Sequence, residues 1–191
     1  MRVVAGSVKG IPLKAVTGNS TRPTTDKVKE SIFNMIGPFF DGGYALDLFA
    51  GSGGLGIEAL SRGIDRVIFT DKDKRAVETI QANLEKTRLS DRAEIYRADA
   101  ERAVKAIKKN GIQARLVFLD PPYHMTKSYD LMDKAGELEI VTKDAIIVCE
   151  HDREVELPDR TRYFERYKKE LYGSTIISIY RYQGEEGERI D

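Results

Sequence analysis

The sequence has no tryptophan, one cysteine, six prolines and no excess of either charge, with 31 Lys+Arg against 31 Asp+Glu. The lone Cys149 excludes an internal disulfide, fits a reducing compartment and predicts a cytoplasmic protein. The longest unbroken apolar run, Ala145–Cys149, is far shorter than the ~20 residues a membrane-spanning helix needs. Lys9 closely follows Met1-Arg2-Val3-Val4-Ala5-Gly6, so no signal-peptide core is expected. A balanced net charge argues against coating nucleic acid by bulk charge, though a local basic face remains open. Internal repeats, low-complexity tracts and Pro/Ser-rich linkers are also missing. What is left, in 191 residues, is one folded domain large enough to bury about 70% of its unfolded surface.

The charge that is present is unevenly placed. Residues 1–36 carry a net +4, and residues 184–191 carry −3 with two glycines, which predicts a frayed acidic tail. Between them, apolar runs without alternation recur at Tyr44–Phe49, Arg66–Phe69, Leu116–Leu119 and Ala145–Cys149, with a weaker strand at Ala93–Arg97. Such runs suit strands buried on both faces of a parallel sheet. Helical spacing fills the gaps, with Leu55, Ala59 and Leu60 after the first strand. Val77, Ile80 and Leu84 follow the second, and Ala103, Val104 and Ile107 precede the helix-ending Asn110-Gly111. The alternation predicts a doubly wound, Rossmann-like α/β domain. Glu165–Leu171 and Thr175–Tyr182 flank Tyr172-Gly173-Ser174 too closely for a helix, so an antiparallel edge hairpin is expected. At the head, Arg2–Ala5 and Ile11–Val16 read as a two-stranded flap. A helix capped by Thr24 or Thr25 follows, with Val28, Ile32, Met35 and Ile36 inward. The organisation expected is a β-hairpin extension over 1–20, the main domain over 21–183 and the tail over 184–191.

Asp47-Leu48-Phe49-Ala50-Gly51-Ser52-Gly53-Gly54-Leu55-Gly56 ends a strand and opens a helix, with Gly51, Gly53 and Gly56 in G-x-G-x-x-G spacing. Absent side chains there let a ligand approach the backbone, although plain strand-to-helix geometry also favours glycine. Asp71 ends the next strand, where a carboxylate can accept from ribose hydroxyls; its alternative is a solvated acid beside Lys72, Asp73 and Lys74. Asp47 would repel a pyrophosphate and attract a cation, which suits the ammonium and sulfonium of S-adenosylmethionine. Asp99, in Arg97-Ala98-Asp99-Ala100, is either an acceptor for an adenine amino group or a helix cap.

The sharper motif is Asp120-Pro121-Pro122-Tyr123, at the carboxyl end of a buried strand. Prolines stiffen the turn and donate no backbone hydrogen, so the Asp120 carboxylate and Pro121 carbonyl become fixed acceptors. Two acceptors can hold both hydrogens of a planar exocyclic amine, and Tyr123 offers a flat face to an unstacked base. A Pro-Pro turn with an aromatic plug is the alternative.

Together, Asp47-x-Phe49-x-Gly51-x-Gly53, Asp71, Asp99 and Asp120-Pro121-Pro122-Tyr123 resemble the class I S-adenosylmethionine-dependent methyltransferases that act on exocyclic amines of bases. The head, Arg2-Val3-Val4-Ala5-Gly6-x-x-Lys9-Gly10 and Thr21-Arg22-Pro23-Thr24-Thr25-Asp26-Lys27-Val28-Lys29-Glu30-Ser31-Ile32-Phe33-Asn34, resembles the bacterial RsmD family. That resemblance implies methylation of guanine N2 in small-subunit (16S) ribosomal RNA and a seven-stranded sheet with an antiparallel last strand. It also implies cofactor contacts at Gly51, Gly53 and Asp71, an adenine contact at Asp99, and base contacts from Asp120 to Tyr123.

On this reading Asp120, Pro121, Pro122 and Tyr123 carry the chemistry, and the S-adenosyl-L-methionine site comprises Asp47, Gly51, Ser52, Gly53, Asp71, Lys72, Asp99 and Ala100. Arg22 and Tyr123 bind substrate. Lys9, Lys14, Lys27 and Lys29, or a strip of Arg160, Arg162, Arg166, Lys168 and Lys169, are candidate RNA contacts. The partner expected is ribosomal RNA or the small subunit, with no membrane. His124 and His151 lack ligand spacing with Cys149 and read as surface or loop residues, so no metal is expected. Removal of residues 1–17 is expected to spare cofactor binding and abolish RNA methylation. The alternatives are a DNA adenine-N6 or cytosine-N4 methyltransferase and a non-catalytic cofactor-binding RNA module.

Overall fold

The computed structural model describes residues 1–18, 24–122 and 125–185. Five parallel strands come first along the chain: β1 (Tyr44–Asp47), β2 (Arg66–Asp71), β3 (Ala93–Arg97), β4 (Ala114–Leu119) and β5 (Val141–Asp152). They join β6 (Phe164–Tyr172) and β7 (Thr175–Tyr182) in one sheet of order β3-β2-β1-β4-β5-β7-β6. β7 runs antiparallel to both β5 and β6, so the expected hairpin is present, with β7 inserted and β6 at the edge. Chain order reverses between β1 and β4, and a crevice at the carboxyl edge is the geometric result.

Helices cover both faces: α1 (Asp26–Ile36), α2 (Gly54–Ser61), α3 (Lys74–Thr87), α4 (Ala100–Lys109) and α5 (Leu131–Glu137). One core layer gathers Ile32, Phe33, Ile57, Leu60, Phe69 and Ile80. The opposite layer gathers Leu46, Val104, Ile107, Val117, Met132 and Tyr180. Every residue of α2 is buried, because it is pressed against the sheet. Its Gly56 permits that approach: a Cβ there would meet the Phe69 ring at 2.3 Å. Thr25 caps α1 by accepting from Val28 N at 3.3 Å. Phe33 and Lys29 are buried on the inner face of α1, whereas Val28 and Met35 are only partly covered.

The head differs from a two-stranded flap. Its pairing shrinks to one bridge, Arg2 with Pro12, supported by Val3 N to Ile11 O at 3.0 Å and Gly10 N to Val3 O at 2.8 Å. Pro12 has no N–H to extend the ladder. The amides that would continue it point elsewhere: Val4 N and Ala5 N donate to the Glu58 carboxylate at 2.9 and 3.1 Å. Glu58 also accepts from Arg62 Nε at 2.9 Å and lies 3.4 Å from Lys29 Nζ, which itself donates to Arg2 O at 2.6 Å. Val3 and Leu13 enter the core. The head is therefore clamped to α1 and α2. Removing residues 1–17 would strip buried partners from Glu58 and Lys29, so the truncation costs stability instead of sparing the rest. Fully buried, Lys29 is not a surface contact for RNA.

Two further expectations change. His151 is buried within β5, where its Nδ1 lies 3.1 Å from Asp152 O and its Nε2 2.8 Å from Ser178 Oγ. A carbonyl only accepts, so Nδ1 carries the proton and Nε2 accepts from the serine. In the basic strip, Arg160, Arg162, Arg166 and Lys168 are engaged by Glu165, Glu185, Asp159 and Glu170. The pair with Glu185 gives the start of the tail a fixed partner, and residues 186–191 lie outside those described.

Candidate active site

The strand ends converge on a cavity of about 1370 Å³. Asp47, Gly51, Ser52, Asp71, Lys72, Asp99 and Ala100 line it, and so do Asp120, Pro121 and Pro122. Gly53 lies just beyond this wall: at φ 82° it caps α2, its N–H donating to Ala50 O at 2.7 Å. Arg22, Tyr123 and His124 lie outside the described residues.

The loop after β1 is held open by the end of β2. Gly51 N donates to Asp71 Oδ2 at 2.9 Å, and Asp73 N donates to Asp71 Oδ1 at 2.9 Å. Each carboxylate oxygen retains a lone pair for a ligand hydroxyl. Gly51 itself has φ 55°, and a Cβ there would stand in open space, so the glycine clears room beside the loop. Asp73 is taken up by Arg75, whose backbone N–H donates to it at 2.9 Å, which leaves Asp71 as the strand-end acid facing the loop. Asp99 accepts from Arg102 N at 2.9 Å and so caps α4 while bordering the cavity.

Lysines such as Lys72 also line the cavity, but among the described residues no lysine or arginine bears on Asp47, Asp120 or Glu150. Asp47 is buried and accepts from Gly56 N at 3.1 Å. Burial, reinforced by Asp71, pushes its carboxyl up to about 7. Asp120 is exposed where it lines the cavity. Crowding by the surrounding walls, with repulsion from Glu150 and then Asp47, raises its carboxyl above its ordinary value. Glu150 is raised by burial, opposed by the Thr24 hydroxyl, which donates to its Oε2 at 2.9 Å. Ionised together these acids repel; a bound cation would relieve them. The residues present thus fit a positively charged ligand.

Glu150, Thr24, Tyr129 and His151 are cavity residues that motif reading missed. One signal was available for Glu150. It ends the apolar run Ala145–Cys149 on the edge where Asp120 ends its own strand.

The strand order, the antiparallel β7 and a ligand crevice after β1 and β4 define a Rossmann-like methyltransferase fold. A family model described as "Conserved hypothetical protein 95" matches residues 1–181, and the chain belongs to this family, the RsmD family. A Bacillus subtilis protein named "Putative rRNA methyltransferase YlbH" is 55% identical over 184 residues, covering 96% of this chain and all of that one. "Ribosomal RNA small subunit methyltransferase D" of Haemophilus influenzae is 33% identical over 155 residues, covering 81% of this chain and 80% of that one. A solved Escherichia coli structure titled "Putative methyltransferase yhhF" superposes with a TM-score of 0.80 at 26% identity, covering 97% of this chain and 99% of its own.

Proposed function

We propose that this protein methylates the exocyclic N2 of a guanine in small-subunit ribosomal RNA, using S-adenosyl-L-methionine. The observation that carries this reading is a single cavity bounded by the Gly51–Asp71 cradle on one side and Asp120-Pro121-Pro122 on the other. The names of the Bacillus and Haemophilus relatives favour ribosomal RNA over DNA as the polymer.

When bound, S-adenosylmethionine supplies a methyl carbon whose bond to sulfur breaks, leaving its electron pair on sulfur, as a nitrogen–carbon bond forms. Asp71 and the Gly51–Ser52 backbone would hold its nucleoside part, with Asp99 and Ala100 near the base and Asp47 facing the cationic end. Asp120 and the Pro121 carbonyl would accept both hydrogens of N2, fixing the amine in orientation. Acceptors already in place cost no reorganisation as positive charge develops on nitrogen. Tyr123 would stack on the extruded base and Arg22 would pair with backbone phosphate.

Labelled methyl donor, offered with small subunits, naked ribosomal RNA and DNA and followed by nucleoside analysis, tests the reading. N2-methylguanosine from subunit or ribosomal RNA is the expected product. Label in DNA adenine or cytosine would redirect it, and no label in any of them would favour a binding module.

A further inference from the structure

The head borders the cavity on both sides of its single bridge. Beyond Arg2–Pro12, Leu13 N donates to Met1 O at 2.9 Å. Met1 on one side, and Ala15 and Val16 on the other, line the same cavity as Gly51, Ser52 and Asp71. Met1 rests on the start of α2, where a Cβ on Gly54 would meet its sulfur at 2.8 Å. The segment leading to Ala15 and Val16 is held instead by one side chain of α3. Asn83 is fully buried, on a helix face whose other residues include the apolar Ala76, Ile80 and Leu84. Lys14 N donates to Asn83 Oδ1 at 2.8 Å, while Asn83 Nδ2 donates to Lys14 O at 3.0 Å and to Ser52 O at 2.9 Å. The partners dictate how the amide is turned, because one N–H needs an acceptor and two carbonyls need donors. Asn83 therefore pairs with both backbone groups of Lys14, as a neighbouring strand would, and joins them to the glycine loop. An apolar residue there would pack against the sheet but leave those groups without this partner.

We propose that Asn83 is a positioning residue for the methyl donor: it fastens the 14–16 segment to the glycine loop, so that Ala15 and Val16 form a fixed wall of the donor site. The proposal rests on the reading above that the donor occupies this cavity, and adds that the head completes its seat. Asn83 touches no reacting atom and acts through Ser52 and Lys14. A wall already ordered before the donor arrives lowers the entropy cost of binding. It stands on the glycine-loop side of the cavity, away from the Asp120–Pro121 corner, so it holds the donor equally before and during transfer. Such contacts tighten binding more than they speed the chemical step.

The first test needs no substitution. Hydrogen exchange at residues 14–18 of the wild-type protein should slow by about threefold or more when S-adenosyl-L-methionine is added without RNA. The second is Asn83→Asp, which keeps an acceptor for Lys14 N and loses both donated bonds. In N83D the same amides should exchange faster without donor. Its Kd for S-adenosyl-L-methionine by calorimetry and its donor KM should rise about tenfold. With small subunits and saturating donor, kcat should stay within about twofold of wild type. Unchanged exchange at 14–18 in wild-type protein that binds the donor would overturn the proposal, and this result decides if N83D fails to fold. A wild-type donor Kd in folded N83D would also overturn it, even with a lowered unfolding midpoint, since Asn83 would then serve the fold alone. The expected exchange and affinity changes in a protein that methylates no nucleic acid would uphold the wall and overturn the proposed function instead.

Discussion

Two regions of this molecule gather carboxylates, and they treat them in opposite ways. At the head, Glu58 is surrounded: two backbone amides, Arg62 and Lys29 converge on it, and every atom of the Lys29–Glu58 pair is hidden. At the carboxyl edge of the sheet, Asp47, Asp120 and Glu150 crowd one another with far fewer partners. The first arrangement joins segments: it fastens residues 1–13 to α1 and α2. The second has fewer partners of its own, and a bound cation would complete it. Gathered carboxylates therefore point to structure where the partners are internal, and to binding where they are missing.

Several substitutions sharpen the contrast. The largest effect is expected from Asp120→Ala, which should lower methyl transfer by a factor on the order of 10³ while donor binding persists, as measured by single-turnover labelling beside calorimetry. Glu58→Gln should leave Lys29 and Arg62 without their counter-charge and cost about 3–5 kcal/mol in urea unfolding. An unaltered midpoint would mean the clamp contributes nothing. Asp47→Asn should weaken donor binding about tenfold at pH 8 and little at pH 5. The sign follows from Asp47 being raised to about 7 by burial: it is neutral in mild acid and attracts a cation only once ionised. The same shift means that its contribution to stability is complete below the ordinary carboxylate range and is lost as pH rises through about 7. Wild-type donor affinity should therefore rise between pH 5 and 8, and D47N should flatten that curve. The smallest effect, about 1 kcal/mol in thermal unfolding, is expected for Thr25→Ala, which removes the cap of α1.

How far the sequence reveals this depends on whether the governing interaction is local. β1, β2, β4 and β5 are legible because two-sided burial leaves unbroken apolar runs, and the hairpin of β6 and β7 because Gly173 sits in a loop too short for a helix. The Gly51 loop, Asp71 and Asp120-Pro121-Pro122 are legible because strand ends and turns carry their own residue preferences, and all of them reach one cavity. The head is not legible. Its amides are claimed by Glu58, 53 and 54 residues away, and no neighbouring residue announces that. Lys29 looks like a surface cation for the same reason, and His151 like a loop residue, since Ser178 lies 27 positions further on. Glu150 belongs to no motif; only the β4–β5 register sets it beside Asp120. The seven residues of α5 are too few for a helical stripe to stand out.

The most direct measurement is a crystal structure with the methyl donor bound. The account requires its ribose against Asp71, its cationic end near Asp47, and its methyl-bearing sulfur turned toward the Asp120–Pro121 corner. A donor seated against another face, or one whose sulfur points away from that corner, would contradict it.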